Sequence, residues 1–242
     1  MKILRAVGII PARFASTRFP GKLLADLAGR PVLEWAYLSA KKSKAFERIV
    51  VATDDSRILR AATNFGAEAV MTKKSHPSGT DRIAEVARKL SCDLVVNLQG
   101  DHPFVSPQMI RNLLAASADK KTEAATLAYP ERDLEKLKNP NLVKVVFDKS
   151  YRAMYFSRSI IPWEAAEAFV HIGLYAFRKK FLLKLVREKP TPLEKMEKLE
   201  QLRVLENGIP LKVAVTGEPV PSIDVPEDLA TARMWAEKRG WM

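Results

Sequence analysis

Three cations, Arg13, Arg18 and Lys22, fall within ten residues of one another in the stretch PARFASTRFPGK at positions 11–22, with Ser16, Thr17 and Gly21 between them. Guanidinium and ammonium groups neutralise phosphate oxygens, and exposed backbone N–H groups between small residues donate to them. The chemistry that fits is the wrapping of a triphosphate. The stretch is neither a GxxxxGK[ST] loop nor a GxGxxG fingerprint. Downstream, Gln99-Gly100-Asp101 sets a carboxylate beside a permissive glycine. Mg²⁺ takes one or two protein carboxylates plus phosphate oxygens, so Asp101 suits a metal held against a phosphate. A second acid, Asp224 in IDVPEDL, reads either as another metal ligand or as the N-cap of a helix. Glu227 and Asp228 fall in that helix's first turn, where they favour its dipole. In SGTDR, Ser78 or Thr80 can cap a helix, Gly79 allows a ligand to approach the backbone, and Ser78, Thr80 and Arg82 offer it hydrogen-bonding groups.

The remaining reactive types suggest little chemistry. His76, His102 and His171 are too separated to indicate a zinc site, and Cys92 has no second cysteine to pair with. Cys92 is therefore read as inert, and its solitude points to a reducing cytoplasm. The amino-terminal MKILRAVGII has too little charge and reaches Pro11 too early for a secretory signal.

The elements that must carry these residues alternate. Residues 6–10, 48–53 and 94–98 are short, apolar and β-branched, and each precedes a polar loop, so they read as buried parallel strands. Helices are expected at 31–43, 55–65, 80–90 and 107–118, the second closed by Gly66. That order predicts an α/β fold with a doubly wound, mixed, mostly parallel sheet, and ligands at the carboxyl ends of its strands. From residue 124 the pattern becomes β-rich, with strands at 124–128, 143–147, 153–156, 171–177 and 211–215. A long helix is expected at 191–207, with Leu193, Met196, Leu199, Leu202 and Leu205 recurring every three residues, and a terminal helix at 226–239. With no linker or repeat in sight, one domain over 1–242 with a β-rich insertion at about 124–190 is expected.

Composition limits the function classes. Of 242 residues 47% are hydrophobic and 28% charged, a globular mix, and no apolar run approaches the roughly 18–20 residues of a membrane span. The net charge of +12 is uneven, with 17 basic against 9 acidic side chains in the first hundred residues and 23 against 19 thereafter. The excess forms no run and is not interleaved with aromatics, so a small polyanion is a better partner for it than a nucleic acid or a membrane surface.

Taken together, IIPARFASTRFPGKLL, VATDD, SGTDR, NLQGD, YFSRSIIPW, HIGLYAF, EKLEQLRVLENG and IDVPEDL resemble the 3-deoxy-manno-octulosonate (Kdo) cytidylyltransferase family over nearly the whole chain. The first motif and QGD are shared with other sugar nucleotidyltransferases, while SRxxIP, HIGLY and LEQLR select the Kdo branch over sialic-acid activation. The resemblance implies a Mg²⁺-dependent, homodimeric enzyme that makes CMP-Kdo and pyrophosphate from CTP and Kdo ahead of lipopolysaccharide assembly. It implies that Ala12, Arg13, Ser16, Arg18 and Lys22 bind the triphosphate. Ser78, Gly79, Thr80, Arg82 and Gln99 would face the cytosine and ribose. Asp101 and Asp224 would hold the metal, with Arg13 and Lys22 as their catalytic companions. Arg158, His171, Tyr175, Glu200 and Gln201 would line the sugar-acid pocket, the last two from the outer face of the 191–207 helix.

Three positions depart from the family pattern: His102 follows QGD, Val225 stands where many members have Thr, and the interval between Pro162 and His171 is short. The last leaves an 8-amino-8-deoxy analogue or another sugar acid open as acceptor. An inactive nucleotide-binding homologue is the rival of a different class.

Overall fold

The computed structural model describes residues 4–16 and 18–241, so Thr17 of the cationic stretch lies outside the described residues. The chain divides into two compact units, one comprising Met1–Arg111 and Val220–Met242, the other Asn112–Pro219.

The first unit opens with strand β1 (Ala6–Ala12), a 3-10 turn at Lys22–Leu24, and the short hairpin β2 (Asp26–Leu27) and β3 (Arg30–Pro31). It continues through α1 (Val32–Lys42), β4 (Arg48–Thr53), α2 (Ser56–Asn64), β5 (Glu68–Met71), α3 (Gly79–Arg88) and β6 (Leu94–Asn97). The β1, β4 and β6 runs are apolar because their residues are buried: Val7, Ile9, Ile10, Val50, Val51, Val95 and Val96 are almost wholly shielded from water. β5, with a single β-branched residue, escaped the sequence reading. β1 pairs in parallel with β4 on one side and β6 on the other, and β5 adds beyond β4. The strand order therefore reverses at β1, which makes the carboxyl ends of β1 and β6 the place for a ligand crevice. The helices start where local chemistry tells them to. The Asp55 carboxylate accepts from the Arg57 N–H at the start of α2, and the Ser78 hydroxyl accepts from the Asp81 N–H at the start of α3.

The division between the units falls within helix α4 (Pro107–Ala116). The second unit holds β7 (Ala124–Glu131), α5 (Leu134–Leu137), β8 (Lys144–Phe147), β9 (Ala153–Ser157), β10 (Ala168–Arg178), α6 (Lys179–Leu185), α7 (Pro192–Glu197), α8 (Leu202–Glu206) and β11 (Leu211–Val215). β7 runs parallel to β11 and antiparallel to β10, and β10 and β8 continue the antiparallel pairing to β9. Parallel strands alternating with helices in the first unit, and a mixed sheet in the second, give the expected α/β class.

The long helix expected at 191–207 is not one helix. It breaks between α7 and α8 at Lys198, whose φ of 55° is left-handed. Arg158 causes the stop from far away in sequence: its Nε donates to the Glu197 carbonyl at 2.7 Å and an Nη2 to the Lys198 carbonyl. The carbonyls that would continue the helix are thus satisfied from outside it. Met196, expected on the leucine face, is exposed.

The final helix, α9 (Asp228–Glu237), belongs to the first unit. Ala232 and Ala236 pack with Leu27, Val32, Phe104 and Ile223, and the rings of Phe19, Trp35, Trp235 and Trp241 close around them. This aromatic cluster anchors the segment that carries Asp224.

Candidate functional site

At the carboxyl ends of β1 and β6 the first unit carries an open cavity of about 460 Å³. Its lining includes Arg13, Ser16, Arg18, Lys22, Ser78, Gly79, Gln99, Asp101 and Asp224. The size is that of a small-molecule site, and the residues arrive from four separate stretches of the chain.

The cationic loop is shaped by its own backbone. The Gly21 N–H donates to the Phe14 carbonyl at 3.0 Å, and Gly21 adopts a φ of 74°. A Cβ there would meet the Phe14 ring at 3.1 Å and demand left-handed strain besides. The turn closed in this way delivers Lys22 to the cavity. Arg13 is aimed by a 2.6 Å bond from its Nη2 to the His76 carbonyl.

Two acids separated widely in sequence meet here. The Ile223 N–H donates to the Asp101 carbonyl at 2.9 Å, fixing the two acidic segments side by side. Lys22 Nζ lies 2.6 Å from Asp101 Oδ2 and 3.2 Å from Asp224 Oδ1, and Arg18 Nη2 donates to the same Asp224 oxygen at 2.8 Å. Asp224 is therefore not the helix cap that the sequence left open. Asp228 accepts from the Asp224 and Val225 N–H groups instead, leaving the Asp224 carboxylate to face the cations. Burial alone would raise the Asp101 pKa, but His102 Nδ1 at 3.1 Å and Lys22 outweigh it and hold the carboxyl well below the usual range. Burial likewise works against the charge on Lys22, yet Asp101 and then Asp224 raise its pKa above the usual 10.5.

The described residues contain no group of three or more His, Cys, Asp or Glu able to cage a metal. What they offer is a pair of carboxylates bridged by the Lys22 ammonium, with Arg18 paired to the second of them. Hard oxygen donors limited to two carboxylates fit Mg²⁺, whose remaining positions go to phosphate and water.

The SGTDR segment divides. Ser78 and Gly79 line the cavity, with Ser78 serving as the α3 cap. Arg82, expected at the cytosine and ribose side, is fully buried and its guanidinium is committed elsewhere. Nη2 pairs with Asp54 Oδ2 at 2.7 Å and Nη1 donates to Thr72 Oγ1 at 2.5 Å. Thr80 is buried on the same helix, and Ala12 is buried at the end of β1 opposite Thr53. None of these three is among the residues lining the cavity; Arg82 ties α3 to the segments after β4 and β5.

The residues expected on the sugar side all lie in the second unit. His171 and Tyr175 sit with ring centroids 5.4 Å apart on β10, whose pairing with β7 shifts register between Ile172 and Tyr175. Thr126 of β7 serves this bulge: its hydroxyl donates to the Leu174 carbonyl at 2.8 Å and lies 2.9 Å from His171 Nε2. Burial, followed by the negative charge of Glu200, pushes the Tyr175 phenol well above its usual 10.0. Glu200 and the buried Gln201 occupy the break between α7 and α8, not the face of a continuous helix. The Arg158 guanidinium donates to the carbonyls of Pro140, Glu197 and Lys198 and so organises that break, and the residue also borders a cavity of about 590 Å³ with Ser159 and Trp163.

Sequence reasoning missed Asp54, Thr126 and the His76 carbonyl, since each is defined by a partner many residues away. His102 was noted only as a departure, although its place directly after Asp101 hinted at contact.

A cation-lined cavity with paired carboxylates, at the switch point of a parallel sheet, defines an enzyme class that handles nucleoside triphosphates. More narrowly, the chain belongs to the cytidylyltransferase family, whose profile matches residues 7–214. It is 47% identical to a 3-deoxy-manno-octulosonate cytidylyltransferase of Syntrophobacter fumaroxidans, over 93% of this chain and 94% of that protein. It is 41% identical to the one of Synechococcus elongatus, over 98% and 100%. A solved CMP:2-keto-3-deoxy-manno-octonic acid synthetase complexed with CTP superposes with a TM-score of 0.92 at 36% identity, covering 97% of this chain and 99% of that one. A 4-diphosphocytidyl-2C-methyl-D-erythritol synthase from Anaerococcus prevotii shares the fold, with a TM-score of 0.65 at 17% identity. The resemblance drawn from the sequence motifs is borne out.

Proposed function

We propose that the protein transfers CMP from CTP to the anomeric hydroxyl of Kdo, releasing pyrophosphate. The observation that carries this reading is the convergence of Arg13, Arg18 and Lys22 with the Asp101–Asp224 pair in one cavity, in a chain whose relatives bear that activity in their names. The hydroxyl oxygen attacks the α-phosphorus, the bond to the bridging oxygen breaks, and its electron pair leaves with pyrophosphate while the hydroxyl proton passes to solvent. Negative charge accumulates on the phosphate oxygens, so fixed cations are the main catalytic device. Arg13, Arg18 and Lys22 bind and neutralise the triphosphate. Gly79 and Gln99 border the nucleoside. Asp101 and Asp224 would hold Mg²⁺, which supplies Lewis-acid neutralisation of the phosphates when bound.

On the sugar side, His171, Tyr175 and Glu200 are proposed to recognise the acid sugar by hydrogen bonding, with Thr126 fixing the His171 ring. A homodimer through the second unit, which exposes Met154 and Trp163, is proposed as well, as is a cytoplasmic setting; among the described residues no helix is long and apolar enough to cross a membrane. The test is pyrophosphate release with product mass determination across four nucleotides and Kdo, its 8-amino-8-deoxy analogue and sialic acid. CTP with Kdo is expected to be the preferred pair, yielding CMP-Kdo. Turnover of the amino sugar without use of Kdo would reassign the acceptor, and no turnover of any pair would make the protein a nucleotide-binding homologue.

A further inference from the structure

The ammonium of Lys22 touches both carboxylates that are read above as metal ligands, at 2.6 and 3.2 Å. A divalent cation held by the same two carboxylates must approach its oxygen ligands to about 2.0–2.1 Å, which puts it in the volume the ammonium fills. The two cations therefore compete for one position. Lys22 is well placed to win when nothing else is bound: its side chain is only 14% exposed, against 52% for Arg18. It also has somewhere to go. Its flexible stem carries a compact point charge suited to phosphate, and the cavity it borders is also lined by Arg13, Arg18 and Ser16.

Charge balance points the same way. Lys22, Arg18, Asp101 and Asp224 together are neutral, so adding a divalent cation without an anion leaves a partly buried excess of positive charge. A polyphosphate removes that excess and offers Lys22 a new partner in the same event.

We propose that Lys22 is the resident counter-ion of the Asp101–Asp224 pair, exchanged for a divalent cation only when the nucleotide's phosphates draw it away. Metal affinity is then conditional on nucleotide, and by linkage each strengthens the other by the same factor. This keeps a bare metal from occupying the site unproductively. The proposal rests on the reading of Asp101 and Asp224 as metal ligands, and the experiment separates the two.

Mn²⁺ alone is titrated into the wild-type protein and into Lys22→Gln, with the free-ion signal followed by electron paramagnetic resonance. Removing the lysine charge is expected to tighten Mn²⁺ binding by about 10-fold or more, with Arg18→Gln giving a smaller gain because Arg18 touches Asp224 only. Equal Mn²⁺ affinity in wild type and Lys22→Gln would overturn the exchange while leaving the metal site intact. No binding to either protein, with or without a non-hydrolysable CTP analogue, would overturn the metal site and the exchange together. Thermal unfolding gives a second readout. Lys22→Gln is expected to lose stability in chelator and regain it with Mg²⁺ or Mn²⁺, whereas metal alone leaves the wild-type midpoint unchanged. A variant that folds only with metal in the buffer supports the exchange, and one that neither cation stabilises counts against it.

Discussion

Replacing Arg82 by Met separates a structural role from a ligand-binding one. Its side chain is wholly buried and bonded to Asp54 and Thr72. Methionine keeps most of the stem volume but leaves the Asp54 carboxylate without its cation. Breaking a buried pair by removing one partner typically costs about 3–5 kcal/mol. Asp54 is 18% exposed and recovers some hydration, so the low end, about 3 kcal/mol, is expected. For a chain of this size each kcal/mol moves the midpoint by about 2–4 °C, giving a drop of roughly 6–12 °C in differential scanning calorimetry. Adding Asp54→Asn removes the stranded charge, and the double variant should recover part of the loss, with a coupling of about 1–3 kcal/mol. The kinetic constants for CTP, measured well below the midpoint, should change little. The reasoning is refuted if the midpoint stays within roughly 2 °C of wild type while CTP binding collapses, for then Arg82 contacts the nucleotide.

Asp55→Ala removes the α2 cap to the Arg57 N–H and should cost about 1 kcal/mol at neutral pH. The Arg57 side chain holds the Asp55 carboxyl at about 2, below the usual 3.8. Its contribution is therefore complete above the usual value and lost as pH falls through the folded one, so the gap in melting midpoint between wild type and variant should close between those values. Thr126→Val removes the hydroxyl that donates to the Leu174 carbonyl and lies against His171 Nε2. An unsatisfied buried carbonyl costs about 1–3 kcal/mol; calorimetry should show that loss, and steady-state kinetics should show a higher KM for the acid sugar with KM for CTP unchanged.

What could be read in advance follows from how far each determinant reaches along the chain. The strands around the site were legible because strands buried on both faces leave unbroken runs such as Ile9-Ile10 and Val95-Val96. The loops after β1 and β6 then had to carry the chemistry, since the strand order turns back at β1. Helix 191–207 misled because leucines every three residues imitate one apolar face, while the carbonyls of Glu197 and Lys198 are captured by Arg158, forty residues earlier. Arg82 shows the same reach: its type suggested a ligand, and its partner Asp54, which lies in the loop after another strand, is invisible to local sequence. For Asp224, cap and ligand were equal readings until the Ile223 N–H was found on the Asp101 carbonyl and Asp228 was found satisfying the backbone.

The central claim is that the Asp101–Asp224 pair, set among the loop cations, runs the chemistry. Pyrophosphate release from CTP and Kdo by Asp101→Asn tests it most directly, with circular dichroism and the melting midpoint as controls for the fold. Removing one preorganised charge from such a site is expected to lower kcat by about 10²–10³-fold or more, in a protein that remains folded. A folded Asp101→Asn protein that turns over at the wild-type rate would contradict the account.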